Sequence, residues 1–173
     1  MSWGIFPLFY SAFGLGLERI GLLKALYPVT WGVLQVVTGP LSDRWGRKGL
    51  IVAGMWVQAG GLFLTAATRD FSWWIAGSVL LGLGTAMVYP SLIAAVSDAS
   101  HPSWRARSLS VYRFWRDLGY AIGALAAGII ADQFGFAWAI AAIGALTFFS
   151  GVVTAFTMQS RLTPPATTET GAT

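Results

Sequence analysis

The chain contains no cysteine, which removes disulfides, thiolate metal ligands and cysteine nucleophiles from consideration. Asparagine is absent as well, so there is no N-glycosylation acceptor. Charge is scarce: 10 % of the 173 residues are Asp, Glu, Lys or Arg, against roughly 25 % in typical soluble domains. The single histidine, His101, sits in a Ser-His-Pro-Ser stretch where solvation is its expected state. No catalytic triad, metal cluster or paired carboxylate stands out. An enzyme is therefore not expected, nor a metal or cofactor.

What the chain has instead is apolar residues, 55 % of it, with nine Trp and eleven Phe. That composition points to an integral membrane protein. The net charge of +4 does not suggest nucleic acid, because the basic residues flank apolar runs and form no long basic tract. Lipid headgroups are the expected partner.

A helix needs about 20 apolar residues to cross the roughly 30 Å hydrocarbon layer. Five runs qualify, at about 20–41, 49–68, 72–97, 108–131 and 136–158. A shorter run, about 2–16, reaches only some 22 Å at about 1.5 Å per residue. It lacks a basic start and a small-residue cleavage site, and Gly4 and Pro7 interrupt it, which argues against a signal peptide. A helix missing its first half fits better, so the chain is expected to be a fragment of a longer protein. Residues 1–159 then form one transmembrane unit, and the Pro/Thr-rich residues 160–173 a disordered cytoplasmic tail.

Orientation follows from Lys and Arg. Arg44, Arg47, Lys48, Arg105, Arg107, Arg113, Arg116 and Arg161 gather at one side, and Arg19, Lys24 and Arg69 at the other. The positive-inside rule makes the richer side cytoplasmic. The expected location is the cell inner or plasma membrane, multi-pass, with the loops 42–48 and 99–107 and the C-terminus in the cytoplasm.

Two stretches echo each other. Gly39-Pro-Leu-Ser-Asp-Arg-Trp-Gly46 and Gly128-Ile-Ile-Ala-Asp-Gln-Phe-Gly135 share the form G-x-x-[SA]-D-x-x-G. They close the first and fourth full spans at opposite faces. Counting the short run as a helix, they end the second and fifth of six, as in two three-helix units of opposite topology.

The first copy is the richest in charge. Gly39 and Gly46 permit close approach and a sharp turn, and Pro40 limits hydrogen bonding near the helix end. Asp43 lies at headgroup level, where it can face the positive N-terminus of a neighbouring helix. Arg44, Arg47 and Lys48 can bind lipid phosphate or an acid, Asp98 being the obvious one on that side.

Residues 39–48, GPLSDRWGRK, resemble the signature loop G-x-L-[SA]-D-R-x-G-R-[RK] of the major facilitator superfamily. The resemblance extends to about Gln159. It implies an all-α membrane bundle, half of a twelve-helix transporter, with five full helices, one partial helix and a 3+3 inverted repeat. It further implies that Gly39, Leu41, Asp43, Arg44, Gly46, Arg47 and Lys48 join the second and third helices. Asp43 would latch the cytoplasmic side against the other half, and Arg47 would pair with Asp98. The span Ser72–Ser97 lacks the Arg that the family's N-terminal half tends to carry, and the pattern G-x-x-x-G-P is missing. Together with Tyr112-Arg-Phe-Trp-Arg-Asp-Leu-Gly119 and the terminal tail, this favours the C-terminal half, the N-terminal half being a missing partner.

Further candidates lie inside the spans. Arg113 and Asp117 are i,i+4 neighbours able to pair, and Arg116 is expected to snorkel toward the cytoplasm beside Trp115. Asp117 is the acid best placed for proton coupling or gating. Gly119, Gly123 and Ala127, and Gly82 and Ala86, form small-residue stripes for helix packing. Phe9, Trp31, Gln35, Gln58, Tyr89 and Tyr120 are candidates for a substrate pocket, since polar groups in lipid turn inward. The expected function is secondary transport of a small solute by alternating access, drug-efflux-like and proton-coupled. The rival expectation is a small membrane scaffold or assembly subunit without transport of its own.

Overall fold

The computed structural model describes residues 2–158, apart from the side chains of residues 2, 3, 43 and 44. The expected tail at 160–173 and the side-chain roles of Asp43 and Arg44 lie outside the described residues. The elements are α1 (Ser2–Ala12), α2 (Leu17–Trp45), α3 (Arg47–Ala67), α4 (Phe71–Ala99), a 3-10 turn (Pro102–Trp104), α5 (Arg105–Phe134) and α6 (Phe136–Thr157). The protein is an all-α helical bundle.

Four of these helices, α2 over Leu17–Ser42, α3, α4 and α6, are long and apolar enough to cross a membrane. The fifth expected span, α5, is 30 residues long, but Arg105, Arg107, Arg113, Arg116 and Asp117 fill its first half. α1 has 11 residues and covers about 16 Å at 1.5 Å per residue.

The charged segment 42–48 is not a loop, contrary to expectation. α2 continues through Trp45 and α3 begins at Arg47, leaving Gly46 alone between them with φ 85° and ψ 135°. Only glycine adopts that region readily, so the whole reversal of direction is placed on one residue. Pro40 lies inside α2 rather than at its end. The span 99–107 is likewise mostly ordered: α4 runs to Ala99, and the 3-10 turn leads directly into α5.

Gly135 repeats the arrangement between α5 and α6, with φ 90° and ψ 162°. The last glycine of each motif copy thus makes the same one-residue junction. Gly39 does not serve the close approach expected of it: a Cβ there, as on Gly128, would meet nothing within 4 Å.

Such an approach occurs instead between α3 and α4. A Cβ on Gly54 would lie 2.7 Å from Val88 Cγ2, and one on Gly84 would lie 2.6 Å from the Gly54 carbonyl oxygen. Two facing glycines let these helices come together with nearly bare backbones. α4 also packs along α2, where a Cβ on Gly82 would meet the Tyr27 carbonyl oxygen at 2.8 Å. Thr38 Oγ1 donates to the Ala86 carbonyl across that contact at 2.6 Å. The Gly82/Ala86 stripe therefore packs, whereas on α5 only Ala127 is buried and Gly119 stands open.

The apolar core gathers at the end opposite Gly46. Ile5, Phe6, Phe9 and Tyr10 of α1 meet Ile20 and Leu23 of α2, Leu62 of α3, Trp74 of α4, Ala127 of α5 and Ile140 of α6. Trp74 is fully buried, and its indole N–H donates to the Thr68 carbonyl at 3.2 Å. Asp70 starts α4 by accepting from the Ser72 backbone N–H at 2.8 Å, satisfying one of the orphan donors of a helix start. Arg19 and Arg69 at this end lie over the rings of Phe71 and Phe13, at 5.4 and 5.6 Å. α1 is too short to cover more than one end of α5, so most of α5 stays exposed.

Candidate functional site

Two charged or polar features sit nearer the Gly46 end. The first is a salt bridge between helices: Arg47 Nε lies 2.7 Å from Asp98 Oδ2. Gly46 starts α3 at Arg47, so the guanidinium stands in the first turn of α3 beside the last turn of α4. Leu41 and Lys48, from the same motif, are half-buried.

The second is an open cavity of about 700 Å³ lined by α2 to α6, with Phe6 of α1 at its margin. Its polar and aromatic walls are Tyr27 and Trp31 from α2, Gln58 from α3, Thr85 and Tyr89 from α4, Tyr112, Arg116 and Tyr120 from α5, and Thr147 from α6. Within the membrane interior these groups have few acceptors or donors other than one another, and they are wired accordingly.

Thr85 is the hub of one network. Its hydroxyl donates to the Leu81 carbonyl at 2.8 Å and accepts from Gln58 Nε2 at 3.0 Å. A hydroxyl has one proton, so the 3.2 Å contact with Tyr27 is donated by Tyr27. Arg116 centres the other. Its Nε donates to Asp117 Oδ1 at 2.9 Å, its Nη2 lies 2.9 Å from the same oxygen, and its Nη1 donates to the Tyr89 hydroxyl at 3.3 Å. The guanidinium also lies over the rings of Tyr89 and Tyr112, at 5.7 and 6.0 Å. Tyr89 in turn meets Trp31 edge-on, with centroids 5.5 Å apart.

Several sequence expectations are corrected here. Asp117 pairs with Arg116 rather than Arg113: Arg113 is exposed, while Tyr89 of α4 draws the Arg116 side chain inward. For the same reason Arg116 lines the cavity instead of snorkelling to the membrane surface. Phe9 is no pocket residue but core, 1 % exposed and 5.7 Å from Trp74 between ring centroids. Gln35 is half-buried on α2 and does not line the cavity. Trp31, Gln58, Tyr89 and Tyr120 do line it.

Tyr27, Tyr112, Thr85, Thr147 and Arg116 were not expected there, yet a signal existed. Tyr27 and Trp31, Thr85 and Tyr89, and Tyr112, Arg116 and Tyr120 each recur at four-residue spacing, which places them on one helix face. Among the described residues no three His, Asp or Glu side chains converge as a metal site would require. His101 is exposed, with Nδ1 2.6 Å from Ser103 Oγ.

Helices long and apolar enough to cross a membrane, joined by tight turns, define a multi-pass membrane protein. The family model of the Major Facilitator Superfamily matches residues 1–172, and the chain belongs to that family of membrane transporters. It is 31 % identical over 140 residues to an uncharacterized transporter of Buchnera aphidicola, covering 77 % of this chain and 35 % of that protein. It is 26 % identical over 149 residues to the inner membrane transport protein YnfM of Escherichia coli K12, covering 86 % of this chain and 36 % of YnfM. The quinolone resistance protein NorA of Staphylococcus aureus MRSA252 is 25 % identical over 154 residues, covering 86 % of this chain and 39 % of NorA. The chain thus spans little more than a third of the length of these relatives.

Proposed function

We propose that this chain forms one six-helix half, the C-terminal one, of a secondary transporter that moves a small solute by alternating access. The observation that carries the reading is the cavity: about 700 Å³, within the range of small-molecule sites, and lined from five helices by hydrogen-bonding and aromatic groups. The missing partner is the other half, which would close the open faces of α2 and α5. The Gly46 end is assigned to the cytoplasm on its Lys and Arg excess.

Arg47–Asp98 acts in gating in this reading, holding the starts and ends of α3 and α4 together while the two halves rock. Asp43 latches the same side against the other half. Asp117, bound to the cavity-lining Arg116, is assigned to proton coupling. Similarity to a quinolone resistance protein favours export of organic compounds. A scaffold without transport has no need of a polar cavity in its membrane interior.

The test is solute flux by the full coding product of the gene containing these 173 residues, reconstituted in proteoliposomes under an imposed pH gradient. We expect gradient-dependent flux of at least one organic solute, lost in Thr85→Trp, which puts an indole at the centre of the cavity. Flux equal to that of protein-free vesicles across a broad panel would contradict the reading.

A further inference from the structure

Among the described residues lining the cavity, Arg116 alone is charged. Lys24 has the same sign and lines a smaller pocket that shares Phe6, Tyr27 and Leu81 with the cavity. The one acid in contact, Asp117, is not part of the cavity lining and is 62 % exposed.

The contacts of Arg116 with Asp117 and Tyr89 occupy three of the five guanidinium N–H groups. Among the described residues one N–H remains on each terminal nitrogen, able to donate to the oxygens of a further anion. Tyr89 accepts from Arg116, so its own hydroxyl proton remains to be given. These remaining N–H and O–H groups are donors, and they call for an acceptor-rich ligand. The walls beside them are flat rings: Trp31, Tyr89, Tyr112 and Tyr120.

We propose that the cavity recognises a planar aromatic anion, with its carboxylate accepting from the remaining N–H groups of Arg116 and its ring against Trp31 and the tyrosines. Asp117 is a resident counter-ion that competes with the ligand carboxylate for Arg116. This assignment rests on the reading of the cavity as a solute site and names the chemical class the site selects.

The experiment is equilibrium binding to the full chain in nanodiscs of zwitterionic phospholipid, with three ligands of one shape: naphthoate, naphthamide and naphthylmethylamine. Naphthoate is expected to bind at least about tenfold more tightly than the amide, the size of one charge-assisted hydrogen bond. Arg116→Gln should abolish that preference, and Asp117→Asn should strengthen naphthoate binding. If Arg116→Gln does not fold, judged by its elution profile, the ligand order of the unmodified chain and the Asp117→Asn response decide.

Tightest binding of the amine, or naphthoate affinity unchanged in Arg116→Gln, would overturn the anion assignment and leave the solute cavity standing. Failure of all three ligands to bind would overturn the aromatic-anion assignment, and the flux measurement above decides the solute cavity separately.

Discussion

Arg47 and Asp98 form an ion pair of 2.7 Å between the first turn of α3 and the last turn of α4, with side-chain exposures of 22 % and 50 %. Its position in the motif is fixed by Gly46, the only residue between α2 and α3. A half-exposed pair is worth about 1 kcal/mol or less. Asp98→Asn should therefore lower the thermal midpoint in detergent only slightly, and the exchange Arg47→Asp with Asp98→Arg should restore it. If the pair gates transport, the single variants will alter flux far more than stability. Proportional losses of flux and stability would contradict a gating role.

The two motif copies make a sharper prediction. Gly46 and Gly135 hold φ values of 85° and 90°, where a side chain costs about 1–3 kcal/mol. Gly46→Ala and Gly135→Ala should each lose stability of that order. Gly39→Ala and Gly128→Ala, inside helices with open space around them, should be neutral or gain up to about 1 kcal/mol. Thermal midpoints of the four variants separate the pairs. Equal effects of the leading and the last glycine within each copy would contradict placing the turn on the last, and unlike effects of Gly46→Ala and Gly135→Ala would contradict the equivalence of the junctions.

Much of this was legible because helices and tight turns leave strong local marks. The apolar runs are long, and the G-x-x-[SA]-D-x-x-G echo marks both one-residue junctions. What the sequence hides is which helix faces which. Phe9 and Trp31 are both aromatic residues within apolar runs, yet one joins the core around Trp74 and the other faces the cavity. Arg113 and Arg116 can both reach Asp117, and a hydroxyl on α4, 27 residues away from Arg116 in the chain, decides between them. The resemblance makes residues 42–45 part of a loop, but nothing in them stops a helix before Gly46.

The core assignment of Phe9 separates packing from binding. Phe9→Ala and Trp74→Ala should each cost about 3–5 kcal/mol, as for large aromatic truncations in a close-packed core. Ligand affinity of any folded fraction should be unchanged for Phe9→Ala. A folded, stable Phe9→Ala protein with weakened binding would return Phe9 to the pocket.

The absence of cysteine makes sidedness directly measurable. Ser103→Cys, in the exposed turn before α5, and Asp70→Cys, at the opposite end, present thiols to the two faces of the membrane. A membrane-impermeant maleimide should label Ser103→Cys from the cytoplasmic side and Asp70→Cys from the other. The reverse pattern would contradict the orientation.

A solute site around Thr85 within the membrane holds water when no solute is bound. Thr85→Cys should then be labelled by the same impermeant maleimide in membranes, and an aromatic solute should slow the labelling. A Thr85→Cys thiol that resists the reagent while Ser103→Cys reacts would contradict the solute site, because the cavity would then be closed to water.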